Sequence, residues 1–552
     1  MYKYSAEDHA QLSARLALFQ LQTERHLGGG MTDEQYRPLR LQNGLYLQRH
    51  APMLRVAVPY GMLRADQLRC LAGVAKNYDK GYCHISTRQN VQFNWIGLSD
   101  IPNVLTDLSE SELHSTQTSG NCIRNVTADP LAGVAVDEIA DPRPFCEIIR
   151  QWSTGHPEFA FLPRKFKIAV SGGLTDRAMT EVHDIGLQIQ KQGRQGWSFT
   201  VFVGGGLGRT PMVGKHLKDQ LPAADLLDYL HAILRVYNRF GRRDNKYKAR
   251  LKILVKALGI EAFRAQVNAE FVRVRASGQR LSADDIAFAQ SFFPFPEYRK
   301  FDHVPEAQLT LHCDADTHFR RWVERNTLGH RVPGYRAVLI PLKRPGMAPG
   351  DITDNELLSI AELSERYSFG EVRTTPRQNL ILADVPVLDL YPLWRELADL
   401  ELAHPNGGTV SDVICCPGLD YCNLANAESI SVSSAIQRRF DDLDYLHDVG
   451  DFTLNISGCV NACAHHHLAD IGVLGVDKKG EQFYQVSLGG KRAHPCRIGS
   501  ILGPAFSREQ IPSVVELIVQ FYVQHRNADE CFSDVFDRLG ISAFKERVYG
   551  RN

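Results

Sequence analysis

Five of the twelve cysteines are gathered in the last quarter of the chain. They read Cys415-Cys416-Pro-Gly-Leu-Asp-Tyr-Cys422 and, farther on, Cys459-Val-Asn-Ala-Cys463. Taken from Cys416, the pattern is C-x5-C followed by C-x3-C. Four thiolates are the usual complement of an iron–sulfur cluster. Structural zinc sites commonly space both pairs by two to four residues, so the first gap argues against zinc. Spacing alone leaves three readings: an iron–sulfur cluster, which it favours, a zinc site, or unrelated core cysteines. Cys70, Cys83, Cys122, Cys146, Cys313, Cys496 and Cys531 stand singly, and a lone cysteine is most often a small buried hydrophobe.

Other stretches carry weaker signals. His465-His466-His467 follows the last cysteine after one alanine, a run that suits adventitious metal binding, a structural or proton-relay role, or a bystander. Gly204-Gly205-Gly206-Leu207-Gly208 follows the β-rich FTVFV but lacks the G-x-G-x-x-G spacing of a dinucleotide loop, because Arg209 stands where the last glycine belongs. If GRRDNKYKARLKILVKALG is helical, Lys248, Lys252 and Lys256 share one face, which is usually solvated.

These groups must be positioned by a duplicated scaffold. Residues 54–93 run LRVAVPYG, ADQLRCLAGVAKNY, GYCHISTRQNVQF; residues 336–382 run RAVLIPLK, NELLSIAELSERY, GEVRTTPRQNLIL. Both read strand, helix, strand, and both carry Arg-Gln-Asn in the last turn, at Arg88-Gln89-Asn90 and Arg377-Gln378-Asn379. LPRKFKIAVSGG and DFTLNISGC repeat at nearly the same offset of about 290 residues. Two related halves follow, each of mixed sheets flanked by helices. Residues 1–44 read as a helical arm, and the polar, Pro-containing stretch 277–335 as the connection between halves. Lys+Arg and Asp+Glu are both 63, and 44% of residues are hydrophobic, which excludes disorder and gives no basic surplus for coating nucleic acid. No apolar run is long enough for a membrane span, and the start lacks a secretory signal. A cytoplasmic protein with no nucleic-acid or membrane partner is expected, and there cysteines do not form disulfides.

CCPGLDYCNLANAES and NISGCVNACAHHHLADIGVLG resemble the cluster-binding signature of the siroheme-dependent sulfite and nitrite reductases, most nearly the hemoprotein (beta) subunits of assimilatory sulfite reductases. STRQNVQFNW, SGNCIRN, FLPRKFK and VFVGGGLG match segments of that family in the same order. The resemblance implies an α+β fold with two pseudo-twofold-related halves. It implies a helical arm (1–44), a ferredoxin-like repeat (45–118), a siroheme- and substrate-binding domain with linker (119–330), a second repeat (331–403) and an iron–sulfur and siroheme-binding domain (404–552). It implies a 4Fe-4S cluster on Cys416, Cys422, Cys459 and Cys463, with Cys463 also the axial ligand of siroheme. Cys415 could compete with Cys416.

Further implications concern the anions. Arg88, Arg124, Lys165 and Lys167 match substrate-binding positions. If PRKFK is extended, both lysines project from one face toward one oxyanion and Arg164 from the other. Asn245, Lys246, Lys248, Arg250 and Arg377 are candidate contacts to siroheme carboxylates, and Gly204, Gly205 and Gly206 would let backbone approach the flat macrocycle. Arg377 equally suits holding a turn. The implied reaction is six-electron reduction of sulfite to sulfide, with nitrite reduction to ammonia as the alternative and a zinc-stabilised binding protein as the remote one. Sulfite reductases of the family often read PRKFK where nitrite reductases read PRKWN. No nucleotide or flavin fingerprint is present, so electrons are expected from another protein, an NADPH-dependent flavoprotein reductase or a ferredoxin.

Overall fold

The computed structural model describes residues 3–193, 196–278, 280–301 and 306–550. Its two repeats exchange strands. In the first, Pro52–Val56 lies in its own sheet, but the next strand, Met62–Arg64, pairs antiparallel with Glu371–Thr374 of the second repeat. The chain returns through the helix Ala65–Tyr78 to Tyr82–Ile85 and Val91–Phe93. The second repeat does the reverse: after Tyr335–Ile340, the strand Asp351–Thr353 pairs with Tyr82–Ile85 of the first. Each repeat therefore supplies an edge to the other's five-stranded sheet, which removes an exposed row of backbone donors and acceptors from both. The helices Ala65–Tyr78 and Asp354–Tyr367 pack together, and one apolar core runs through both repeats.

Two further five-stranded sheets share a second topology. Thr127–Ala128, Ile168–Ser171 and Ile185–Gln192 run parallel, followed by antiparallel Gly196–Val203 and Lys215–Pro222. Ile414–Cys415, Leu454–Ser457, Ile471–Lys478, Glu481–Leu488 and Ser500–Ile501 repeat that order. The central strands Ile168–Ser171 and Leu454–Ser457 are buried at every residue, as expected of parallel strands covered on both faces. Each sheet has its own core. The duplicated α+β architecture expected from sequence is therefore present.

The arm holds the helices Ala6–Leu27 and Asp33–Gln42, each opened by a capping box, at Ser5 and Thr32. The connection between halves is more ordered than its polar composition suggested. It carries the helices Ala283–Ser291, Glu306–Ala315 and Thr317–Asn326. Phe319 and Trp322 anchor the third in the shared core with no exposed surface. Two aromatic side chains supply apolar area that composition averaged over the stretch conceals.

The paired Arg-Gln-Asn turns brace the halves against each other. Gln89 and Gln378 both adopt left-handed backbone, with φ 58° and 60°, a conformation that persists where surrounding bonds over-determine it. The Gln89 side-chain amide donates across the interface to the Thr374 carbonyl at 3.1 Å and accepts from the Ala128 N–H at 3.2 Å. Gln378 donates to the carbonyls of Ile85, at 3.2 Å, and Cys415, at 2.9 Å, and accepts from the Cys415 N–H at 2.9 Å. Gln378→Leu leaves these buried backbone groups unpaired, so unfolding stability should fall by about 2–4 kcal/mol. Denaturant titration should show this loss and no comparable loss for Gln20→Leu on the exposed face of the arm.

Candidate active site

Cys415 and Cys416 are neighbours with opposite surroundings. Cys415 ends the strand Ile414–Cys415, and its side chain is 1% exposed within an apolar core. The next residue faces the other way, as strand alternation requires, and the Cys416 Sγ accepts the Gly458 N–H at 3.2 Å. The Cys422 Sγ accepts the Leu424 N–H at 3.4 Å. Cys459 and Cys463 flank the turn after Leu454–Ser457. The two cysteine loops meet through bare backbone: a Cβ on Gly458 would lie 2.6 Å from the Gly418 Cα. Burial pushes the Cys416 thiol up to about 12 and the Cys459 thiol up to about 11, and the charge of Cys463 adds to both. Cys422 is raised by burial and by Cys463 as well. Cys416, Cys422 and Cys459 all lie within electrostatic reach of Cys463, and burial keeps these three protonated until positive metal charge is placed among them. The donor set fits an iron–sulfur cluster. Cys415 faces away from it.

The first repeat touches this loop directly, because the Thr87 hydroxyl donates to the Cys463 carbonyl at 2.7 Å. Arg88 turns inward beyond it, bonding the Thr127 hydroxyl at 3.0 Å, the Asn125 carbonyl at 2.6 Å and the His183 ring. Arg124 donates to the carbonyls of Thr118, at 2.6 Å, and Gly120, at 2.8 Å, while its Nε is buried without a partner. PRKFK is extended: Phe166 bridges Ile123 and is fully buried, which sends Lys165 and Lys167 to the opposite side. Among the described residues, neither ammonium meets an acceptor. Burial, Arg124 and Arg250 push Lys165 down to about 8, and the Cys463 charge partly opposes them. Burial, Arg88 and Lys165 push Lys167 far below the usual lysine range. Arg250 is held by both oxygens of the fully buried Asp184, at 3.1 and 2.7 Å. Asp184 also accepts the Lys167 N–H at 2.9 Å. Arg164 lies apart, 3.5 Å from the Asn121 side chain.

The Arg377 Nε–H and Nη2–H both donate to one Asp412 carboxylate oxygen, at 3.1 and 2.7 Å, which fits the turn-holding expectation. Asn245, Lys246 and Lys248 are not brought to the cations. The Asn245 side chain accepts the Tyr247 N–H at 3.0 Å, and Lys246 lies over the Tyr247 ring. The expected lysine stripe does not form, since the helix begins at Leu251 and Lys248 precedes it. Lys252 is buried instead, and its ammonium donates to the carbonyls of Gly206, Leu207 and Thr210 at 3.2, 2.9 and 2.6 Å. Gly204, Gly206 and Gly208 have φ of 75°, 153° and 101°, so side chains would strain this loop. His467 binds the Gly208 carbonyl at 3.2 Å. His465 is buried and held neutral by desolvation, Lys167 and Arg492, and both ring nitrogens of His466 are buried without partners.

Three participants escaped sequence reasoning. Arg55, on Pro52–Val56, bonds the Gln92 side chain at 2.8 Å and lies over the Tyr46 ring at 5.2 Å. Arg492 donates to the Asn455 side chain at 2.9 Å, and its Nε is buried without a partner. Aligning the repeats on Val58-Pro59 and Ile340-Pro341 sets Arg55 against Ala337, and that mismatch within a buried strand was the available signal. Tyr46 reports the resulting field. Burial alone would raise its phenol, but Arg124, Arg55 and Lys165 bring it down to about 7. Ultraviolet difference titration of the cofactor-free protein should show one tyrosine ionising near neutrality. That step should vanish in Tyr46→Phe and move to higher pH in Arg124→Leu.

Buried cations that depress one another need anionic charge among them, and the Asp184 carboxylate, already held by Arg250, is too little. An anionic substrate and a cofactor rich in carboxylates would supply what the site lacks. The comparisons agree. Residues 119–274 and 406–551 match the nitrite and sulphite reductase 4Fe-4S domain, and 46–111 and 342–400 the nitrite/sulfite reductase ferredoxin-like half domain. The chain is 30% identical over 493 residues to a sulfite reductase [ferredoxin] of Mycobacterium tuberculosis, covering 87% of this chain and 81% of the relative. It is 30% identical over 491 residues to the ferredoxin–nitrite reductase of Synechococcus elongatus, covering 86% and 87%. The solved structure of the Mycobacterium tuberculosis NirA protein superposes with a TM-score of 0.76 at 27% identity, covering 93% of this chain and 92% of that one. The chain therefore belongs to the nitrite and sulfite reductase family, oxidoreductases that carry siroheme and a 4Fe-4S cluster.

Proposed function

We propose that this chain reduces sulfite to sulfide in six electrons, as the hemoprotein of an assimilatory sulfite reductase in the cytoplasm. The observation that carries the choice of substrate is Lys167, a second unpaired ammonium beside Lys165. Sulfite is the larger anion and carries up to two charges against one for nitrite, so two ammonium groups suit it better than one ammonium and a neutral amide. When bound, siroheme and the cluster supply the substrate-binding iron and the electrons.

The remaining work falls to the chain. Cys416, Cys422, Cys459 and Cys463 would hold the cluster, and Cys463, the exposed member within the field of Lys165, would join it to the siroheme. Lys165 and Lys167 offset oxyanion charge and hand over protons as S–O bonds break, a role suited to ammonium groups whose proton affinity is lowered toward neutrality. Arg124 and Arg55 complete the anion pocket. Arg88, its guanidinium already engaged, orients the Thr87–Cys463 contact and His183. Arg250, Arg377, Asn245, Lys246 and Lys248 would contact siroheme carboxylates when it is bound, and the Gly204–Gly206 backbone would let the chain approach its face.

The electron donor is a separate protein, and the ferredoxin dependence named for the relatives favours a ferredoxin over an NADPH-dependent flavoprotein. Nitrite reduction is the second reading, supported by the nitrite reductases among the relatives.

Cys463→Ser should lose the siroheme absorption or its coupling to the cluster, while Cys415→Ser keeps both, as read from visible spectra with iron and acid-labile sulfide assays. With one artificial donor, wild-type protein should show a higher kcat/KM for sulfite than for nitrite, and Lys167→Asn should move the ratio toward nitrite. Lys165→Ala should retain siroheme yet lose about 2–4 kcal/mol of transition-state stabilisation, roughly two orders of magnitude in kcat. A wild-type preference for nitrite would reverse the assignment.

A further inference from the structure

A cavity of about 300 Å3 lies beneath the N-terminal helix, between its inner face, the segment around His114 to Cys122 and the end of the helix Arg143–Ser153. None of Arg55, Arg88, Arg124, Lys165 and Lys167 lines it. Its walls are amphipathic. Leu12, Phe159 and the ring of Tyr4 supply apolar surface, and Arg15, His114 and Gln117 supply polar groups.

Two of those polar groups lack the partners that burial demands. His114 is 8% exposed, and its Nδ1 pairs with the Thr116 hydroxyl at 3.0 Å. Its Nε2 is buried with no hydrogen-bond partner. The Arg15 guanidinium bonds the Asn43 side chain at 2.9 Å and the Gln42 carbonyl at 2.8 Å, both neutral acceptors. Among the described residues, no carboxylate lies within ion-pair distance of it. The other charges at the cavity are already satisfied. Arg150 is clamped by both oxygens of Glu147 at 2.7 Å, and the Asp8 carboxylate caps its own helix through Ser5. A half-buried cation with only neutral partners and a buried ring nitrogen with none make a ready receptor for one more anion.

We propose that this cavity binds a small organic carboxylate with a flat apolar body. The carboxylate accepts hydrogen bonds from Arg15 and from the His114 Nε2–H, and the body lies between Leu12, Phe159 and Tyr4. The volume, at the low end for ligand pockets, suits a molecule of about ten non-hydrogen atoms. The site is distinct from the sulfite pocket, though its Cys122 wall stands two residues from Arg124 in the same segment.

Isothermal titration of the holoenzyme with benzoate, and with benzamide as its uncharged isostere, tests this. Benzoate should bind with a Kd at or below about 1 mM, at least about tenfold tighter than benzamide. Saturating sulfite should leave that binding unchanged. Arg15→Met should weaken benzoate about tenfold or more, and Arg15→Lys should recover part of the loss. No benzoate binding up to about 10 mM, equal affinity for the two probes, or displacement by sulfite would overturn the assignment. So would undiminished binding in Arg15→Met. The benzoate–benzamide comparison needs no variant and decides the matter if Arg15→Met fails to fold.

Discussion

Like charges crowded away from water dominate this molecule. On one side of the junction, burial holds the Cys416, Cys422 and Cys459 thiols above the usual thiol range, and the charge of Cys463 adds to each shift. On the other, Arg88, Lys165, Lys167 and Arg492 are pushed toward neutrality by burial, and the neighbouring cations deepen that effect. Each group is costly alone, and the two are adjacent, since Cys463 lies within the field of Lys165. Metal charge among the sulfurs and carboxylate charge among the cations relieve both at once. Cofactor binding and the stability of the junction are therefore linked, as for any ligand that binds only the folded state.

The scaffold answers that demand by symmetry. Gln89 and Gln378 reach reciprocally into opposite halves, and Arg88 and Arg377 sit at equivalent turns with opposite fates. Arg377 has its own carboxylate in Asp412, whereas Arg88 meets only neutral partners at Thr127, Asn125 and His183. The first half has thus kept its positive charge uncompensated where the second has neutralised it. The second half contributes the thiols instead. Duplication supplied two similar frames, and chemistry was divided between them.

Much of this was readable in the chain. The repeat, the spacing from Cys416 and the alternation in PRKFK all report local geometry, which residue periodicity encodes directly. What could not be read was long-range. The strand exchange leaves each edge strand flanked in sequence by its own repeat, so no local pattern says which sheet it joins. Lys252 reads as one charge in a solvated stripe until the glycine loop folds over its ammonium. Arg55 sits among apolar residues, where a single charged side chain carries no periodic signal. Cys415 and Cys416 are indistinguishable by spacing, and they separate only once the strand end assigns one to the core.

The strand exchange also sets a clock. Gly61, beside the strand Met62–Arg64, is bonded by the Thr374 hydroxyl 313 positions later in the chain. Ribosomes add about 5–20 residues per second, so the first repeat waits roughly 15–60 s after its own synthesis before its partner strand exists. Throughout that interval it presents an unpaired edge and half of a shared apolar core to its surroundings. Production of this protein in a foreign host is accordingly governed by what binds that nascent surface first, a chaperone or another nascent chain, before any cofactor is available to it.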